Sequence, residues 1–196
     1  MEIDSDLTWK SHIHKIESKI ASAIGIISKL RFKIHRKTAM LLYDTLILPI
    51  YPIAISLGHP LTKLHFKKLL ILQKRSLRIC YKTNNIPLTN SIFHTCSKLC
   101  ITDINKLQVA KFVYSSLNKL LPRCFNTYFS NVLNVHSHYT RNAKQLYSHF
   151  ACTNIRKFFI TNSGPLIWNG IPDNIKSSLS LASFNKAYRN YLIARS

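Results

Sequence analysis

The chain has 196 residues, with 28 Lys+Arg against 7 Asp+Glu, a formal net charge of +21 and a hydrophobic fraction of 46%. That length allows one domain or two small ones with a sizeable core, and the apolar content excludes a basic disordered tail. So one-sided a charge balance repels itself in the compact state and points to a polyanionic partner, while saying nothing about fold.

The first ten residues are acidic and polar, unlike the basic and then apolar start of a secretory signal. Ile13, Ile20, Ile27 and Ile34 follow at seven-residue spacing, and Trp9, Ile16, Ala23 and Leu30 form a second register. This pattern predicts a helix over Trp9–Ile34 with an apolar seam. At roughly 100° per residue, Lys15, Lys19, Lys29 and Lys33 share one strip about 120° from that seam. A solvated edge and a phosphate-binding edge are both compatible with it. Self-pairing as a coiled coil is disfavoured, because the flanking charges are almost all positive.

Thr38–Leu48 reads as a helix apolar on nearly every side, hence buried, with Pro49 and Pro52 ending it. The apolar stretch Ala39–Leu57 has the length of a membrane span. It contains Asp44, however, which costs about 2.5–3.5 kcal/mol at mid-helix, and both prolines, so a buried helix and a turn fit better. Pro60 suits the first turn of the next helix, expected to run to Tyr81. Leu61, Leu64, Leu69, Leu72 and Ile79 cluster on one face of it. Lys63, Lys67, Lys74 and Arg78 fall within about 60° of each other, with Lys68 and Arg75 adjoining. No acid stands between Asp44 and Asp103. Solvated faces normally mix signs, so this unrelieved side is the better candidate for phosphate binding.

"KTNNIPLTN" reads as a break and divides the chain into 1–84 and 85–196. Beyond it, Asp103–Leu120 is predicted helical, capped by Thr102 or Asp103. Leu107, Ala110, Val113 (or Tyr114) and Leu117 point inward, and Pro122 terminates the helix. Residues 123–165 read as loops and short extended pieces. "GPLIWNGIPDNIKSS" reads as turn-rich around a buried Trp168. A last helix over Ser180–Ala194 turns Phe184, Tyr188, Tyr191 and Leu192 inward. There is no internal repeat, and the predicted architecture is mainly α, a bundle-like first part with a loop-rich helical extension.

Catalytic signals are weak. Only Asp4 and Asp6 pair closely enough to suggest a two-metal site, and 4 glycines make no phosphate loop. Five cysteines, an odd number, are scattered, which suggests reduced thiols in an intracellular protein. "HTCSKLC" offers His94, Cys96 and Cys100 as three zinc ligands without a fourth, so ordinary thiols are the default. "HSHYTR" sets Arg141 beside Tyr139 and two histidines, fitting either a nucleic-acid contact or a polar turn. No catalytic residue, metal or cofactor is expected.

Four segments in order carry a resemblance. "IDSDLTWKSHI" with the Ile/Lys helix and "LRFKIHRKTAMLLYDTLILPIY" resembles the segment directly after the catalytic palm of reverse transcriptases from LINE-type, jockey-like non-LTR retrotransposons. "LQKRSLRIC" looks like that family's "LQKRAIRII", and "HSHYTR" resembles its "HSYNTR". "GPLIWNGIPDNIKSSLSLASFNKAYRNYL" is similar to its C-terminal "GPKLWNSLPxxIKxxxSxxxFKxxLKxYL". The middle departs from the pattern, with "YPIAISLGHP" where the family often has "YCNLVWG". The resemblance implies a thumb-like region and C-terminal extension starting after the "YADD"-type turn, hence without the catalytic aspartates. It further implies RNA and DNA partners held as a template–primer duplex through backbone phosphates, with Lys15, Lys19, Lys29, Lys33, Lys63, Lys67, Lys74, Arg75, Arg78 and Arg141 as contacts. The alternative is a stand-alone α-helical interaction protein derived from such an element, its apolar helix faces binding a protein partner. A cationic peripheral membrane protein is a third reading.

Overall fold

In the computed structural model the described residues are 10–55, 63–82, 91–135, 145–153, 156–157 and 159–195. They are mainly helical, and their only β pairing is an isolated bridge between Asn131 and Leu146. Two compact units result. Of the described residues, one unit holds those up to Ile104 together with 193–195, and the other holds those from Asn105 to Leu192.

The first unit is built on two long helices, α1 (Lys10–Leu30) and α4 (Lys63–Tyr81), packed along each other. The heptad seam of α1 is the core: Ile13, Ile16, Ile20, Ala23, Ile24 and Ile27 are all buried. The helix stops at Leu30, short of the expected Ile34. The amides of Lys33 and Ile34 both donate to the Leu30 carbonyl, closing a turn. The reason lies just beyond: His35 adopts extended backbone and caps α2 (Arg36–Leu42), its Nδ1 accepting the Lys37 amide at 3.3 Å. Lys33 therefore sits in a turn and not on the helical strip of the other lysines.

After α2 the chain runs through a π-helical turn, Tyr43–Ile47, in which the Leu48 amide reaches back to the Tyr43 carbonyl. Thr45 Oγ1 donates to the Leu41 and Leu42 carbonyls, drawing them away from regular α bonding. The extra residue aligns Tyr43 and Ile47, both buried, but leaves Leu41 62% and Leu46 41% exposed. The expectation of an all-round buried helix is thus corrected. Pro49 stands in the turn that ends this stretch, as expected, but Pro52 does not: α3 (Ile50–Ile55) follows, and Pro52 sits in its first turn, where no backbone N–H is needed. Among the described residues no helix is long and apolar enough to cross a membrane.

The buried line of α4 is Leu69, Gln73, Ser76, Leu77 and Cys80, while Leu72 and Ile79 are half-buried. Helix α5 (Ser91–Cys96) packs on α4. It ends with Ser97 in the left-handed region (φ 51°), the Lys98 amide donating to the Phe93 carbonyl and the Ser97 amide to that of His94.

Helix α6 (Ile101–Leu117) starts before the expected Asp103, and its last residue, Leu117, is 39% exposed and not inward. In the second unit it supplies Ala110, Val113 and Tyr114 to an aromatic core with Trp168, Phe184 and Tyr188. Tyr114 stacks on Phe184 with ring centroids 4.7 Å apart and donates its hydroxyl to the Ser178 carbonyl at 2.6 Å. A 3-10 turn (Arg123–Phe125) and α7 (Val132–Val135) follow. The segment expected to be turns is instead α8 (Ile160–Asn169) and α9 (Asp173–Lys176), and α10 (Leu181–Arg195) closes the unit. Pro165 lies inside α8 beside Gly164, whose missing side chain lets Phe129 and Val113 approach. Asn169 clamps Leu146 with both ends of its amide, each bond 3.0 Å. Phe184, Tyr188 and Leu192 are buried and Tyr191 is half-buried.

Candidate nucleic-acid interface

The first unit gathers cations at one end because α1 and α4 finish side by side. Lys82, directly after α4, donates its ammonium to the Ile34 carbonyl just after α1, at 2.8 Å. The Arg36 guanidinium lies over the Tyr81 ring, 3.3 Å from its centroid. These two contacts tie the α1–α2 turn to the end of α4. Both helix C-termini carry partial negative charge, and each has a cation in its last turn, Lys29 and Arg78. Around them stand Arg31, Lys33, Lys37, Lys74 and Arg75, so that residues 29–37 and 74–82 together hold nine Lys and Arg (Lys29, Arg31, Lys33, Arg36, Lys37, Lys74, Arg75, Arg78, Lys82) and no acid.

Each sequence-nominated residue has a definite place in this arrangement. Lys29, Lys33 and Arg75 are exposed and belong to the clustered end. Lys74 and Arg78 belong to it as well but are half-buried, and Arg78 Nη2 is buried without a hydrogen-bond acceptor. Their removal would therefore disturb packing as well as charge. Lys15, Lys19 and Lys67 are exposed and lie toward the opposite end; fourteen residues separate Lys15 from Lys29, about 21 Å of helix. The side chain of Lys63 and all of Arg141 lie outside the described residues.

A second polar feature underlies the site. Gln73 is fully buried on α4, donating through Nε2 to the Tyr43 hydroxyl (3.2 Å) and the Leu99 carbonyl (2.9 Å), and accepting the Ile101 amide at 2.9 Å. One side chain thereby joins the π turn, α4 and the connection between α5 and α6. Burial pushes the Tyr43 phenol above its ordinary range. Burial also pushes the Cys80 thiol up, to about 12, and the Cys96 thiol in the same direction. Asp44, the acid of the apolar stretch, pairs with Lys98 at 2.6 Å.

Sequence reasoning missed Arg31, Arg36, Lys37 and Lys82. The run "RFKIHRK" was visible, but a continuous helix hid its role as a turn. Gln73 had a signal too, a polar residue spaced four from both Leu69 and Leu77 on the buried line. Chemically, the arrangement can neutralise phosphates. Among the described residues no three of His, Cys, Asp and Glu gather to hold a metal.

The chain matches no protein-family model, no curated protein and no solved structure.

Proposed function

We propose that this chain binds nucleic acid through backbone phosphates, as the thumb-like portion of a non-LTR retrotransposon reverse transcriptase that carries no polymerase chemistry of its own. The observation that supports this most is the cluster of cations at the joined ends of α1 and α4, drawn from two stretches of chain that themselves hold no acid. Its cations come from a turn and two helices locked together by Lys82 and Arg36, so a rigid polyanion meets them without a large ordering cost. Such contacts position a duplex and do not read its sequence. Template–primer RNA and DNA are the proposed partners, in an intracellular setting.

The test is a salt titration of duplex binding. Lys29→Gln, Lys33→Gln and Arg75→Gln change only exposed side chains of the clustered end. Each lost phosphate contact lowers the slope of log affinity against log salt by about 0.9, so the triple variant should lose up to about 3. An unchanged slope removes that end from the binding surface. Primer extension with magnesium or manganese should stay at background.

A protein-binding role is the second reading, favoured by the exposed Leu41 and Leu46 on one side of α2 and the π turn. Leu41→Glu should abolish partner capture under that reading and leave duplex affinity little changed under the first.

A further inference from the structure

We propose that Phe32 is a stacking platform for an unpaired nucleobase, so that the basic turn holds single-stranded nucleic acid as well as a duplex backbone. This rests on the nucleic-acid reading above. Phe32 is 79% exposed, in the turn between α1 and α2. Five cations lie within five residues of it, Lys29, Arg31, Lys33, Arg36 and Lys37, and no acid does. The Arg31 guanidinium sits over its ring, 4.5 Å from the centroid. This contact fixes the ring's orientation at the surface and loads one of its sides with positive charge. The turn itself is held from both directions, by Lys82 on the Ile34 carbonyl and by the His35 cap of α2. A phosphate contact has no use for an exposed ring. A base does, because every base has a π face, and stacking on an aromatic within a cationic groove is the standard chemistry of single-strand binding. The ligand is an unpaired nucleotide, in RNA or DNA, flanking or ending a duplex. Its phosphates meet Lys33, Arg36 and Lys37, and its base lies on Phe32.

The experiment compares the full chain with Phe32→Ala and Phe32→Trp. The probes are a short single-stranded RNA carrying 2-aminopurine, a blunt duplex of the same sequence, and phosphatidylserine vesicles. Circular dichroism should be the same for all three proteins, since the ring is exposed. The expected result is a roughly 5- to 150-fold weaker single-strand affinity for Phe32→Ala. Quenching of the 2-aminopurine should be lost with it, Phe32→Trp should restore both, and duplex affinity should hold throughout. Unchanged single-strand affinity and quenching in Phe32→Ala, with duplex binding intact, overturns the stacking site and leaves the proposed function standing. Wild-type protein that binds neither nucleic acid overturns both. Loss of vesicle binding in Phe32→Ala, with single-strand binding unaffected, also overturns the proposal and makes Phe32 a lipid-inserting residue.

Discussion

Gln73 shows how much one side chain can hold. Its amide serves Tyr43, the Leu99 carbonyl and the Ile101 amide, none of which has access to water there. Gln73→Leu keeps the volume roughly but strands these groups. Each costs about 1–3 kcal/mol when left unpaired, so urea denaturation should show a loss of at least about 3 kcal/mol. Ser97 acts in the opposite sense. It holds a left-handed backbone at the end of α5, which costs an L-residue strain that glycine avoids. Ser97→Gly should raise stability by about 0.5–1 kcal/mol after the added chain entropy is subtracted. Gly164 is the converse case: a Cβ there would stand 2.8 Å from Phe129 Cε1 and 3.1 Å from Val113 Cγ2. Gly164→Ala should cost about 1–3 kcal/mol by overpacking, measured by the same denaturation.

At the scale of elements, the heptad seam of α1 is legible because its period is sustained and its residues are apolar throughout, most of them isoleucine. Ile20 has no exposed surface. Ile20→Asp should cost more than about 4 kcal/mol and be visible as a collapse of the circular-dichroism melt. The second helical stretch is less legible. A uniform run of apolar residues gives no phase, so the π turn at Tyr43–Ile47 and the solvent-facing Leu41 and Leu46 could not be seen in it. In α4 the sequence marks the helix and its basic residues but not the phase of its inward line, because Gln73, Ser76 and Cys80 are polar or small and do not stand out as core beside the leucines.

At the scale of the whole molecule, stability should fall on the alkaline side. Cys80 is raised by burial from 9.0 to about 12, and Tyr43 and Tyr51 are raised from 10.0 for the same reason. Above about pH 9 the unfolded chain releases these protons while the folded chain keeps them. Folding stability therefore is complete below that pH and declines as pH rises toward 12. Denaturation midpoints across this range should show a monotonic fall, and Cys80→Ala should reduce its steepness at the lower end. Thiol titration with a disulfide reagent near pH 8 should modify the exposed Cys124 and Cys152 quickly, and Cys80 only on unfolding.

The sequence by itself determined the helical class, the strongly positive charge and the seam of α1. These follow from composition and from a period that local geometry imposes. It also contained every cation of the candidate interface. Only the tertiary structure decided which of them meet. Lys29 and Arg78 are far apart in the chain, and they share one end of the unit because α1 and α4 finish together, held by Lys82 on the Ile34 carbonyl and Arg36 on Tyr81. Charges separated by such a length of chain can act together only after packing has placed them side by side. That placement depends on contacts among residues whose identities, taken one at a time, carry no record of it.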